Sequence, residues 1–241
     1  MADSALTIVS TLARIRERIA RSAERAGRRA EEITIVAVTK THPAATIIDA
    51  FNAGLRHFGE NRIQEFETKV PAISDLKATW HLIGHLQSNK TSRAARLFNH
   101  IDSIDSLALA QRLDAAAATE NKQLRVLIEV HLSDETTKSG VSEAELQALA
   151  ESVATFPNLR LQGLMTIPPF FDEPEGVRPF FRKLAALRDQ VSRHLARPLP
   201  VLSMGMSHDF EIAIEEGATE IRPGTALFGP RPAANLTKNA P

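Results

Sequence analysis

Three stretches of this chain hold residues that could do chemistry together: ITIVAVTK at 33–40, LSMGMSHDF at 202–210 and IRPGTALFG at 221–229. Lys40 closes the first, an apolar run rich in β-branched residues that reads as a buried strand. An ammonium held at the end of such a strand is desolvated, which lowers its pKa and frees the amine to attack a carbonyl. The same position also suits a lysine that carries its charge out to solvent along an apolar stem, and position alone leaves both readings open. In the other two stretches, small residues at Gly205, Ser207, Gly224 and Thr225 let backbone N–H groups approach an anion. A helix beginning near Ser207 would add the positive end of its dipole. Turns alone also require glycine, and an N-cap alone explains serine. Two such segments at consecutive strand ends nevertheless favour an anion site, expected across the mouth from Lys40. Arg222, two residues before Gly224, either makes an ordinary ion pair or faces a ligand heteroatom.

Bulk properties narrow the chemistry. The 241 residues carry 29 Lys+Arg and 29 Asp+Glu, so the basic surplus that a nucleic-acid binder needs is missing. Cysteine is absent, which removes disulfides, thiolate metal sites and cysteine nucleophiles; tyrosine is absent too. His81 and His85 stand four apart, on one face of a strand but about 13 Å from each other at ~3.3 Å per residue, so they do not chelate one ion and no metal is expected. No apolar run is long enough to span a membrane. The N-terminal segment reads as neither a signal nor a transit peptide, because Glu17 and Glu24 interrupt its basic pattern. A cytoplasmic protein is the expectation.

The elements that position these residues alternate regularly. Ile8, Leu12, Ile15 and Ile19 make one apolar stripe, predicting an extra helix at about 4–27 that stops at Gly27. Strands are predicted at 33–40, 57–61, 80–85, 101–105, 125–132, 161–167, 201–206 and 220–225, each followed by a helical stretch. Ser142 and Glu145 form a capping box for the helix after the fifth strand. Eight such units without a linker imply parallel strands, and the dinucleotide fingerprint of an open doubly wound sheet is absent after the first of them. The fold class is therefore α/β, a single (β/α)8 TIM barrel over residues 1–229 with a flexible tail at 230–241. In such barrels the active face lies at the C-terminal ends of the strands. Polar residues predicted there include Lys40, Asn61, His85, Gln87, Asn89, Asp105, Lys138, Thr166, Ser203 and Arg222.

Longer blocks carry a resemblance. VAVTKT at 36–41, HFGENRIQE at 57–65, WHLIGHLQSNK at 80–90, GLMTI at 163–167, LSMGMSHDFEIAI at 202–214 and IRPGTALFG at 221–229 resemble the pyridoxal phosphate homeostasis protein family, also called the proline synthase co-transcribed homologue family. The resemblance spans nearly the whole chain. It implies the alanine racemase N-terminal barrel, fold type III of the proteins that bind pyridoxal 5′-phosphate (PLP). It further implies that Lys40 holds PLP as an imine and that Arg222 faces the pyridine nitrogen. Gly224 and Thr225, with Ser203, Gly205 and Ser207, match the phosphate-binding segments, and Asn61 and Met165 line the ring. His81, His85, Gln87 and Asn89 match positions near the mouth without a defined role.

The resemblance thus implies a PLP carrier that buffers and delivers its cofactor inside the cell, with apo PLP-dependent enzymes as acceptors, no nucleic-acid or membrane partner, and a monomeric state. The alternatives are a racemase-like PLP enzyme and a lysine aldolase that uses no cofactor. Alanine racemases pair their lysine with a tyrosine from a second domain, and this chain has neither. His208 or Lys138 could act as a second base, so weak racemase-like activity stays open. Lys138 and the SDETTKSG loop are expected near the opening, where they would assist transfer.

Overall fold

In the computed structural model, which describes residues 2–133 and 139–230, eight parallel strands close on themselves. Each strand pairs with the next in sequence, and β8 (Glu220–Ile221) pairs with β1 (Thr34–Val38) in the register Thr34 with Glu220 and Ile35 with Ile221. Between them lie β2 (His57–Glu60), β3 (Thr79–Leu82), β4 (His100–Ile104), β5 (Leu124–Glu129), β6 (Leu159–Met165) and β7 (Val201–Ser203). The (β/α)8 barrel expected from the alternation is the fold. Closure also corrects an expectation. The ends of the last two strands do not face Lys40 across the mouth, because ring closure makes β8 the neighbour of β1.

Helices α2 (Ala44–Asn52), α3 (Ile63–Ile73), α4 (Thr91–Leu97), α5 (Leu107–Thr119), α6 (Glu143–Thr155), α7 (Arg178–His194), α8 (Phe210–Glu215) and α9 (Thr225–Phe228) return the chain between strands or follow the last one. Alternation along each strand sends one set of side chains outward against these helices. Phe58, Phe66, Phe98 and Leu82 are buried in that outer layer, where Trp80 packs on Phe58 and Phe66 with ring centroids 5.4 and 5.1 Å away. The other set points inward. Val36, Val38, Ile83, Leu127 and Met165 are buried apart from that outer layer.

The extra helix, α1, runs Ala2–Arg25, and Gly27 beyond it takes φ 65°, the left-handed geometry that ends helices. Its stripe of Ile8, Leu12, Ile15 and Ile19 is buried against α2, α8 and α9. Burial of each such side chain stabilises by roughly 1.5–3 kcal/mol. Arg18 and Arg25 on its polar side reach Glu211 and Glu215 of α8, both at 2.7 Å. The capping box of α6 is present, with the Ser142 hydroxyl and backbone N–H both on Glu145.

Strands are shorter than their apolar runs suggest, because each run continues past the last ladder bond into the loop. Lys40 therefore lies two residues beyond β1 and His85 three beyond β3. Ser207 does not cap a helix: α8 starts at Phe210 with Asp209 at its N-cap. Lys138 and the rest of 134–138 lie outside the described residues, as does the tail after Pro230. Among the described residues, no helix is long and apolar enough to cross a membrane.

Candidate functional site

Thr39 extends the ladder of β1 by one bond, donating its N–H to the Gly59 carbonyl at 3.0 Å. Its hydroxyl points outward and donates to Glu60 Oε1 at 2.7 Å. By alternation Lys40 then follows Val36 and Val38 toward the inside of the mouth, where it is half-buried. The chain turns at once, and Thr41 takes φ 67°. For a β-branched residue that conformation is costly, and it persists only where the surroundings enforce it.

The enforcement comes from residues to which the sequence alone assigns no role. Lys69 of α3 is buried and donates to the Thr39 carbonyl at 2.9 Å and to both Glu60 and Glu65 at 2.8 Å. Glu65 in turn accepts the Thr41 N–H. The peptide on either side of Lys40 is thus tied to one buried cation and two carboxylates. Burial pushes the Glu60 carboxyl up, against the pull of Lys69. Glu65 is also desolvated, but the bonds from Lys69 and Thr41 outweigh that and hold it below the ordinary range. Glu60 and Glu65 stand inside the HFGENRIQE block; the i,i+4 spacing of Glu65 and Lys69 is the one signal in the sequence that points to the network.

At the ends of β7 and β8, the hydroxyl of Ser207 accepts from the backbone N–H groups of Gly224 and Ala226, both at 3.0 Å. Two amides converging on one oxygen are the arrangement that an anion's oxygen requires. The segment lies against the end of β1: a Cβ on Gly224 would come 3.5 Å from Val38 Cβ, and Val38 donates its N–H to the Pro223 carbonyl. Gly205 takes φ 90°, and a Cβ there would sit 2.5 Å from Ala213 Cβ, so the backbone passes too close to α8 for a side chain.

Arg222 is 3% exposed. Its Nη1 donates to Ser203 Oγ at 2.7 Å and its Nη2 to the Thr166 carbonyl at 2.8 Å. Burial lowers its pKa, opposed by Asp102, Glu129 and Glu220, but a guanidinium stays charged in proteins. Ser203 therefore belongs with Arg222 rather than with the Ser207–Gly224 cradle. Met165 is fully buried at the end of β6, and Asn61 lines a cavity of about 330 Å³ with Arg62, His85, Gln87 and Lys90. His85 pairs with Asp105 at 3.1 Å, while His81 lies deep in the barrel and bonds to Asp102. His208 stacks on the exposed Phe170.

A closed parallel barrel with a lysine just past β1 and an amide cradle beside it at β8 belongs to the alanine racemase N-terminal class. The profile described as "Alanine racemase, N-terminal domain" matches residues 11–232. The chain is similar to the pyridoxal phosphate homeostasis protein of Aquifex aeolicus, 47% identical over 220 residues that cover 91% of this chain and 96% of that one. It is similar to the protein of the same description in Escherichia coli strain K12, 44% identical over 229 residues, covering 93% and 97%. The solved structure of PipY from Synechococcus elongatus PCC7942 with PLP bound matches with a TM-score of 0.82 at 36% identity, covering 92% of this chain and 100% of that one. This chain belongs to the pyridoxal phosphate homeostasis protein family.

Proposed function

We propose that this chain binds PLP covalently at Lys40 and serves in intracellular PLP homeostasis, holding and releasing the cofactor without a robust enzymatic activity of its own. The observation that carries the reading is the amide cradle of Gly224 and Ala226 lying against the end of β1, beside the turn that bears Lys40. The names of the relatives and the PLP-bound PipY structure support it.

The residues present fit the cofactor. PLP supplies an aldehyde that condenses reversibly with a primary amine, losing water. Lys40 offers that amine, and the Lys69–Glu60–Glu65 network fixes the backbone from which it reaches inward. The N–H groups of Gly224 and Ala226, which here donate to Ser207 Oγ, would turn to phosphate in its place, with the Ser207 hydroxyl then donating its proton to the same group. Thr225, which opens α9, lies between those two amides in sequence, and Gly205 gives the β7 loop its close approach. Arg222 would face the pyridine nitrogen from the barrel interior, its guanidinium fixed by Ser203 and Thr166, while Asn61 and Met165 line the ring. A guanidinium is a permanent donor, so a ring nitrogen before it stays unprotonated, which makes a weak electron sink. That property, and a chain without tyrosine, favour a carrier over a racemase. Lys40 would surrender the cofactor through the mouth to water or to the amine of an acceptor enzyme. The protein acts as a monomer in the cytoplasm, a single PLP-binding barrel through residue 229.

Borohydride reduction of the purified protein followed by peptide mapping tests the attachment. A pyridoxyl adduct is expected on Lys40 and is lost in Lys40→Ala; an adduct elsewhere overturns the assignment. Sustained interconversion of alanine enantiomers would reject the carrier reading, and light scattering at two masses per particle would reject the monomer.

A further inference from the structure

Barrel interiors of this kind are ordinarily filled by branched apolar side chains. Here the half toward the N-terminal strand ends is polar instead. His57 of β2, His81 of β3, His100 and Asp102 of β4 and Glu220 of β8 gather there, and all but His57 are buried. Asp102 Oδ2 lies 2.9 Å from His81 Nδ1, and His81 Nε2 lies 3.0 Å from His57 Nδ1. The rings of His81 and His100 stand 4.2 Å apart between centroids. One potential ligand atom from each of His81, His100 and Glu220 lies within 4.8 Å of the other two. A second observation is independent of that clustering. Glu220 Oε2 and Asp102 Oδ1 are buried with no hydrogen-bond partner. An unsatisfied buried oxygen costs about 1–3 kcal/mol, more when charged, so two in one group leave a place for a bound cation or proton, although the charges of Arg222 and Arg125 already act on the cluster.

We propose that the barrel floor is a second binding site, for a divalent cation of the zinc type ligated by His81, His100 and Glu220. Two imidazoles with one carboxylate are the donor set of a borderline-soft ion; magnesium and calcium prefer all-oxygen shells. Ligands at about 2.0–2.1 Å from a tetrahedral ion stand about 3.3 Å from each other, so the three atoms need to close by no more than about 1.5 Å. Asp102 supports the site without touching the ion: accepting from His81 Nδ1–H, it fixes the tautomer that leaves Nε2 to bind. His57 holds that lone pair in the metal-free arrangement and either turns aside or supplies a fourth ligand, being already at about the ligand-to-ligand spacing. Entry is from the face opposite Lys40. A cavity of about 360 Å³ reaches His100 and one of about 490 Å³ reaches His57. Arg222, nearest on the cofactor side, gives hydrogen bonds to the neutral oxygens of Ser203 and Thr166.

The test is independent of PLP. Tag-free protein is stripped with chelator, loaded with Zn²⁺ or Co²⁺ and desalted, and metal per chain is measured by elemental analysis. One equivalent is expected, with a Co²⁺ visible spectrum of a four-coordinate nitrogen–oxygen site and a raised Tm. Asp102→Asn should weaken binding by about 10–100-fold, and Glu220→Gln or His100→Gln by more, while borohydride still fixes PLP at Lys40. Retention far below one equivalent overturns the proposal and leaves a proton on Glu220 as the compensating charge. Full binding in folded Glu220→Gln and His100→Gln overturns it equally, assigning the metal to surface histidines. If those variants fail to fold, X-ray absorption of the wild-type protein decides: a first shell without histidine nitrogens overturns the site.

Discussion

Lys40 would be an ordinary turn residue without the buried charges behind it. Lys69 bridges Glu60 and Glu65, and through Thr39 and Thr41 the three set the path of the two peptides that flank Lys40. Replacing Lys69 by Met leaves Glu60 buried and uncompensated, a change that costs about 3–5 kcal/mol when one partner of a buried pair is lost. The expected outcome is a lower denaturation midpoint together with weaker PLP retention, although Lys40 itself is intact. A variant that loses stability but keeps wild-type PLP affinity would show that the network supports the fold and not the site. Lys40 is only half legible in the sequence: a lysine ending an apolar β-branched run suits either an imine former or a solvated strand end, and the resemblance of the VAVTKT block decides between them. Lys69 is not legible, because a lysine on a predicted helix face reads as solvated until the burial of its partners is known. The same holds for Glu220, whose inward aim depends on the phase of a two-residue strand.

At the scale of elements, α7, α8 and α1 are joined by ion pairs around one arginine. Arg178 of α7 bonds Glu175, Glu215 and Glu216 at 2.7–2.9 Å, while Arg25 of α1 reaches the same Glu215. The bond from Arg178 holds Glu175 below the ordinary carboxylate range. For Glu215 and Glu216, partial burial pulls upward, but bonds from Arg178, Arg25 and Arg182 prevail and the result is again a lowered pKa. The folded state thus binds fewer protons than the unfolded one near the ordinary value of 4.5, so this stabilisation is complete above that pH and lost as pH falls through the folded values. Arg178→Ala should lower Tm at pH 7 and narrow its difference from wild type toward pH 3. Parallel curves across that range would sink the idea. Raised groups elsewhere, such as Glu129 and Asp209, slope the other way but are common to both proteins and cancel in the difference. Element types and order are readable from period and turn residues, as α1 and the Ser142–Glu145 cap illustrate. Element ends are less so: apolar residues past the last ladder bond still pack in the mouth, which makes β3 and β7 look longer than they are. Ser207 looks like an N-cap for the same reason that it suits the cradle, since its hydroxyl seeks backbone amides in either setting.

For the whole molecule, closure of the ring decides which strand ends meet. A sequence states order but not curvature, so the proximity of β8 to β1, which brings the cradle to Lys40, emerges only once eight strands are known to close. Closure also separates two layers of different character, one beneath the helices that is apolar apart from the Thr39–Glu60–Lys69 network and a mixed one inside. Trp80 belongs to the outer layer, on Phe58 and Phe66 at the foot of β3, the end of the barrel away from Lys40. It is the chain's one tryptophan, and there is no tyrosine. The protein is therefore a single-lamp system: ultraviolet excitation lights one indole, and an absorbing chromophore at Lys40 would drain that emission across the barrel. Loading with PLP should dim the indole and raise longer-wavelength emission, and Lys40→Ala should restore the original brightness. Persistent dimming in that variant would place the chromophore elsewhere. Cofactor exchange with an acceptor could then be timed by the return of light, with no label attached.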